Sequence, residues 1–204
     1  EYLLAPVRRD GSIVQQLNER AIGCLQRQLK ILTREIPDTA ERLKNERIAE
    51  TILDLAHHQF WQGEEQGWRY LVPRFVEGWQ YERPWVGSLL EVAETFRSTF
   101  SNDGQRRLKL FSTVVVKSLI DPDHARQSLE ELDKLAQRKW LDGEGAEERK
   151  AILQLQRGGL FYRQEKYKEA VQACLEVERQ LPENAVQLRK DLAEAFRRVG
   201  WKFA

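Results

Sequence analysis

The sequence predicts an all-α fold built from antiparallel helical hairpins stacked as a bundle of the α-solenoid type. Apolar residues recur at spacings of three and four along nearly the whole chain, which is the period of a helix with one buried face. No segment shows the sustained alternation of apolar and polar residues that is typical of a half-buried strand. The one β-branched run, at 114–116, keeps the helical period with its apolar neighbours, so we interpret it as a buried helix.

Length, charge and apolar content limit the class of protein. A chain of 204 residues is long enough to bury its own hydrophobic core. The 33 basic and 32 acidic residues leave a net charge of +1, which gives no general attraction to nucleic acid. Because no stretch approaches the roughly 18 consecutive apolar residues of a membrane helix, we expect a soluble, cytoplasmic protein without membrane insertion.

The sulfur-containing residues point to a reducing compartment. Cys24 and Cys174 are far apart, lie in helical segments and have no Cys or His at ligand spacing, so we expect two free, buried thiols. The sequence contains no methionine, which suggests that it is a piece of a longer protein.

Caps and helix breakers divide the first 80 residues into three predicted helices. They cover 12–36, 39–61 and 68–79. Pro37 ends the first of them, and Gly63 marks the end of the second. The third contains Pro73, which removes one backbone hydrogen bond and should kink the helix.

Three more helices are predicted before a glycine-rich stretch at 142–145. They cover 89–96, the segment from a turn at 101–104 to Ile120, and 122–140. Asp121 and Pro122 are favourable N-cap and first-turn residues for the last of these. The stretch at 142–145 either separates an N-terminal bundle (1–141) from a C-terminal unit (146–204) or is a loop within one continuous domain.

The segment at 154–184 carries the pattern of a close-packed helical hairpin. Its key residues are Gly158, Phe161, Tyr167, Ala170 and Pro182. This pattern of small, aromatic and proline residues resembles a tetratricopeptide repeat. In such a hairpin the small residues let two antiparallel helices approach, aromatic rings fill the space beside them, and the proline closes the second helix.

The resemblance covers a single repeat, with departures from the family pattern. Gln154 and Arg157 stand where the family usually has a large aromatic residue and a leucine, and Cys174 replaces a large apolar residue. One repeat cannot bury its own hydrophobic face, so neighbouring helices must stack on it. We expect the amphipathic helix at 188–199 to cap the stack, and the segment at 56–76 to be repeat-like only.

No sequence pattern for catalysis or metal binding is present. His57 and His58 are adjacent and therefore point about 100° apart on a helix, while His124 is distant in sequence. Phosphate-binding glycine loops, serine nucleophile elbows and zinc-ligand clusters are not found. We therefore expect no catalytic site, no metal and no cofactor in this chain.

The segment at 60–85 holds eight of the 19 aromatic residues. Trp68, Phe75 and Trp79 share one helical face, as core residues would. Several other rings alternate with arginine, which is typical of interaction hot spots. The candidates for such a patch are Trp61, Tyr70, Arg74, Tyr81 and Trp85. Core packing with an ordinary surface and a true binding patch both fit this segment.

The pattern favours a non-catalytic scaffold or adaptor module that binds a protein or peptide partner. Candidate groove residues on the first helix of the hairpin are Arg157, Phe161, Tyr162 and Gln164. One alternative is a C-terminal helical accessory region of a larger bacterial enzyme, such as a family 2 glycosyltransferase. Another is a regulatory helical domain that binds a small ligand in the aromatic-rich segment.

Overall fold

The computed structural model describes residues 11–117, 122–182 and 185–200. Within these ranges the chain is helical and contains no strand, which confirms the predicted all-α class. The helices are α1 (Gly11–Thr33), α2 (Thr39–Lys44), α3 (Glu46–Gln62), α4 (Glu64–Tyr81), α5 (Arg83–Glu94), α6 (Asn102–Lys117), α7 (Pro122–Gln137), α8 (Ala146–Arg163), α9 (Tyr167–Gln180) and α10 (Val186–Gly200). A short 3₁₀ helix covers Arg97–Thr99.

The segment predicted as one helix at 39–61 is instead two helices, α2 and α3. Asn45 separates them because its backbone is extended, with φ of −78° and ψ of 111°. Its side-chain Oδ1 accepts a hydrogen bond from the backbone N–H of Ile48 at 3.2 Å, which caps the start of α3. Asparagine favours this geometry, so it ends one helix and begins the next.

Two expected turns are shorter than the sequence indicates. Glu82 alone separates α4 from α5, and Pro84 lies in the first turn of α5, where its missing N–H is no loss. The turn expected at 101–104 is already the start of α6, because the Ser101 Oγ accepts the backbone N–H of Gly104 at 3.2 Å and acts as the N-cap.

The predicted helix at 122–140 ends earlier, at Gln137. Lys139 has a left-handed backbone, with φ of 61°, and Trp140 packs into the core from the loop that follows. The expected end of α6 at Ile120 and the expected N-cap Asp121 lie outside the described residues.

Helix α4 forms the centre of the core. It packs against α2, α3, α5 and α8, and it remains helical through the buried Pro73. Its fully buried side chains include Trp68, Phe75 and Trp79, the three residues predicted to share a core face. The same apolar cluster extends into α7, α8, α9 and α10, so side chains on both sides of the loop at 142–145 share one core.

Aromatic rings form the densest part of this core. The rings of Phe75 and Phe111 stack with centroids 4.2 Å apart, and Trp68 meets Phe60 edge to face at 5.6 Å. Phe100 lies 5.5 Å from Trp68. Such pairs contribute about 0.5–1.5 kcal/mol each beyond the area that they bury, so they join α3, α4 and α6 into one unit.

The contact between α3 and α4 is testable at Gly67. A Cβ added there would lie 1.9 Å from Cδ1 of the Phe60 ring, so we expect Gly67→Ala to lower the free energy of unfolding by about 1–3 kcal/mol. Gly87, inside α5, has no atom within 4 Å of an added Cβ, so Gly87→Ala should raise it by about 0.5–1 kcal/mol. Urea unfolding measures both variants; a Gly67→Ala protein as stable as Gly87→Ala would contradict this packing.

Candidate functional site

The hairpin of α8 and α9 has the close packing that its small residues predict. A Cβ added at Gly158 would lie 3.4 Å from the Cβ of Ala173 and 3.5 Å from the carbonyl oxygen of Ala170. The rings of Tyr162 and Tyr167 meet edge to face across the turn, with centroids 5.7 Å apart. The assignment of this hairpin to the tetratricopeptide family stays a prediction.

Helix α10 packs against both helices of the hairpin and leaves an open groove beside α8. The groove has a volume of about 460 Å³ and reaches the junction of α4 and α5. We call it the α8–α10 groove and define it by its polar lining residues Gln80, Arg83, Gln156, Tyr162, Arg163, Asp191, Glu194 and Arg198.

A chain of hydrogen bonds fixes the floor of this groove. The Gln156 Nε2 donates to the Gln80 Oε1 at 2.7 Å, and the Gln80 Nε2 donates to the Asp191 Oδ2 at 2.7 Å. The other oxygen of Asp191 accepts from the Gln187 Nε2 at 2.8 Å. These contacts tie α4, α8 and α10 together and occupy both oxygens of the Asp191 carboxylate.

Arg83 and Arg163 line the wall of the groove, together with Arg198, which forms an ion pair with Glu194. The Arg83 Nε donates to the carbonyl oxygen of Trp79, and the Arg163 Nε donates to that of Gly159, each at 3.3 Å. Burial, and then the positive charge of Arg163, lower the pKa of Arg83. Both groups remain cationic at neutral pH, because an arginine pKa starts far above 7. An anion placed against them would reduce their mutual repulsion.

A second set of polar contacts joins α8 to α2 and α4. The buried Glu148 accepts hydrogen bonds from the Thr39 Oγ1 at 2.7 Å and from the Tyr81 hydroxyl at 2.6 Å. The adjacent Arg149 donates to the Glu77 Oε1 at 2.7 Å and to the carbonyl oxygen of Leu141. Each buried charge is therefore held by partners from other elements, as burial requires.

The four residues predicted on the first hairpin helix do not share one face. Tyr162 lines the α8–α10 groove. Arg157 forms an ion pair with Asp133 of α7 and so lies on the α7 side of the helix. Phe161 is half-buried, and Gln164 is the C-cap residue of α8.

The structure also separates the aromatic and arginine residues proposed as a patch. Trp61 is 56% exposed, and Tyr70 is half-buried with the Arg74 guanidinium 4.0 Å from its ring centroid. Tyr81 belongs to the contacts of Glu148. Trp85 is buried rather than exposed, because its ring packs onto α4 beside Gly78.

The sequence did not reveal Arg83, Arg163 and Asp191 as members of one site. They come from α5, α8 and α10 and lie tens of residues apart in the chain. Helical periodicity shows which residues of one helix share a face, but not which helices meet.

His57 and His58 are engaged in contacts with other side chains. The Trp61 Nε1 donates to the His57 Nε2 at 3.1 Å, and the His58 Nδ1 lies 2.6 Å from the Asn18 Oδ1. In the described part of the chain, no group of three or more His, Cys, Asp or Glu side chains could hold a metal ion. Likewise, none of the helices within 11–117, 122–182 and 185–200 is long and apolar enough to cross a membrane.

Comparison with known proteins gives no match. No protein-family model fits the sequence, and neither the curated proteins nor the solved structures include one that is significantly similar. Functional inference therefore depends on the geometry described above.

Removing the hydroxyl oxygen of Tyr81 tests how much its hydrogen bond to Glu148 contributes to stability. Tyr81→Phe leaves a buried carboxylate with one donor fewer, so we expect the free energy of unfolding to fall by about 1.5–3 kcal/mol. Tyr162→Phe is the matched control and should change it by less than about 0.5 kcal/mol. Equal losses in both variants, measured by urea unfolding, would rule out the proposed role of this hydroxyl.

The same tyrosine gives an expected pH dependence. Burial, and then the charge of Glu148, raise the pKa of Tyr81 above its ordinary value of 10. The unfolded chain therefore ionises first, so the stabilisation is complete below about pH 10 and is lost as the pH rises further. Between about pH 8 and pH 11 the wild type should lose more free energy of unfolding than Tyr81→Phe. Parallel losses would show that Tyr81 does not titrate in this way.

Proposed function

We propose that this chain is a non-catalytic helical binding module whose α8–α10 groove holds an acidic segment of a protein or peptide partner. The observation that carries the proposal is the pair Arg83 and Arg163 on the wall of an open groove of about 460 Å³. The resemblance of the hairpin to a tetratricopeptide repeat, a helical unit that stacks to form binding surfaces, supports the same conclusion.

The chemistry of the lining favours an acidic segment over a neutral one. A carboxylate beside Arg83 and Arg163 would gain charge-assisted hydrogen bonds and would relieve the repulsion between the two guanidiniums. The acids of the groove are already engaged, since Asp191 accepts two amide hydrogen bonds and Glu194 forms an ion pair with Arg198. Arg83 and Arg163 add positive charge to the wall of the groove, so the lining suits an acidic segment better than a basic one.

The aromatic-rich segment is less suited to binding a small ligand than the groove is to binding a peptide. A hollow of about 420 Å³ lies beside Trp68 and Trp140, but the Arg107 guanidinium sits 5.3 and 5.2 Å from their ring centroids. The Arg107 Nε also donates to the Glu131 Oε1 at 3.2 Å. The indole faces are thus used in internal cation–π contacts, and we prefer the groove as the binding site. A role as an accessory region of a larger enzyme is compatible with the same groove.

A peptide series of fixed length and rising glutamate content tests this function. Binding of labelled peptides to the purified chain, measured by fluorescence anisotropy, should strengthen with each glutamate and weaken with added salt. Arg83→Gln and Arg163→Gln should each weaken binding of the most acidic peptide about tenfold, or about 1.4 kcal/mol.

The control is Arg97→Gln, because Arg97 is exposed, lies outside the groove and pairs locally with Glu94. It should leave peptide affinity unchanged. Binding that is independent of glutamate content, or that survives both groove substitutions, would reject the acidic-segment groove.

A further inference from the structure

Helix α1 exposes an unusual amount of apolar surface. It packs against α3 through the buried Ile22, and Asn18 donates from its Nδ2 to the carbonyl oxygen of His58 at 3.0 Å. Its outer face nevertheless carries Ile13, Leu17 and Ile31, which are 45%, 50% and 73% exposed. These are three of the five large exposed hydrophobic side chains in the described part of the chain.

The exposed residues of α1 follow a heptad pattern. Successive steps of four and three residues connect six side chains, and all six are exposed: Ile13, Leu17, Arg20, Cys24, Arg27 and Ile31. We call this set the α1 seam. Steps of four and three are the spacing at which one helix of a coiled coil meets its partner. In that register Leu17, Cys24 and Ile31 occupy one core position, and Ile13, Arg20 and Arg27 occupy the other.

The two arginines give the seam its charge. Within the described ranges, neither Arg20 nor Arg27 forms an ion pair with a carboxylate. The one acid of α1, Glu19, lies to the side of the seam and accepts a hydrogen bond from the Gln15 Nε2 at 3.2 Å. The seam is therefore apolar at one core position and mainly cationic at the other.

We propose that the α1 seam docks an amphipathic helix of a partner protein that carries carboxylates opposite Arg20 and Arg27. Polar residues at coiled-coil core positions select partners that satisfy them. From Ile13 to Ile31 the seam is about 27 Å long, which matches a partner helix of about 18 residues. Because α3 already holds α1 in place, α1 loses little conformational entropy on docking. Most of the entropy loss comes from ordering the partner helix.

The charge pattern disfavours the other occupants. Parallel pairing with a second copy would place each arginine against its own counterpart, and antiparallel pairing would set it against an apolar residue or Cys24 without a carboxylate. A lipid surface would have to accept two guanidiniums in the middle of the apolar face, which is costly. An acidic helix satisfies both the apolar and the cationic positions.

Two synthetic helical peptides serve as probes. One carries leucine opposite Leu17, Cys24 and Ile31 and glutamate opposite Arg20 and Arg27, and the other replaces those glutamates with lysine. Fluorescence anisotropy should show at least about tenfold tighter binding of the glutamate peptide to the wild-type chain. The double variant Arg20→Glu/Arg27→Glu should reverse that preference, while a second double variant, Arg69→Glu/Arg97→Glu, makes the same charge change away from the seam and should not.

Thiol labelling gives an independent measurement. Cys174 is buried as the sequence predicted, but Cys24 is exposed in the seam, so the prediction of a buried thiol was wrong there. A maleimide should therefore label Cys24 first. The glutamate peptide should protect Cys24 by at least about tenfold in rate, without changing Cys174. Circular dichroism confirms that each variant is folded before its binding is interpreted.

Four results would overturn the proposal. One is equal affinity for the two peptides or no binding to a folded chain. Another is a dimer in sedimentation that Leu17→Glu dissociates, which would assign the seam to a second copy. Binding to phosphatidylserine vesicles but not to the peptides would assign it to a membrane. Slow maleimide labelling of Cys24 that becomes faster when residues 1–10 are removed would show that another segment of the same chain covers the seam.

Discussion

The burial of α4 on several sides is the constraint on which the rest of the structure depends. Gly67 lets the Phe60 ring of α3 approach one side, and Gly78 lets α5 approach the other, since an added Cβ would lie 2.5 Å from the Cγ2 of Val86. The C-terminal turns of the same helix supply Gln80 to the groove floor and Tyr81 to Glu148. The packing of α4 therefore also places the helices that form the candidate site.

Helical periodicity predicted the class of fold and the core face of α4, because one buried stripe leaves a regular pattern in the sequence. It did not predict the break at Asn45, where a side chain caps the next helix within an otherwise continuous pattern. Nor could it predict the α8–α10 groove, since Arg83 and Arg163 come together only through the packing of α8 against α4, which α5 directly follows. Pairings between distant segments depend on tertiary contacts that a single sequence does not display.

The aromatic-rich segment and α1 both depart from the simple pattern of an amphipathic helix. The first is buried more than that pattern predicts, and the second is exposed more. The sequence-based prediction assumes that each helix has one buried face and one solvated face. In α4 and α5 more than one face is covered, so Trp85 is buried although its neighbours suggested exposure. In α1 the apolar arc is wider than the face that α3 covers, so Leu17 and Ile31 remain exposed.

Although the net charge is only +1, arginines are concentrated at two places, the α1 seam and the α8–α10 groove. Many exposed arginines pair with an acid one turn away on the same helix, as Arg69 does with Glu65, and such pairs cancel locally. The two arginines of the α1 seam lack that arrangement, because no acid lies one turn away from them on the exposed seam. The groove is lined by residues of five helices, whereas the seam is the straight face of one helix. We therefore proposed an extended acidic segment for the first and an acidic helix for the second. Together the two proposals describe a chain that binds two different acidic partners at once, as an adaptor does.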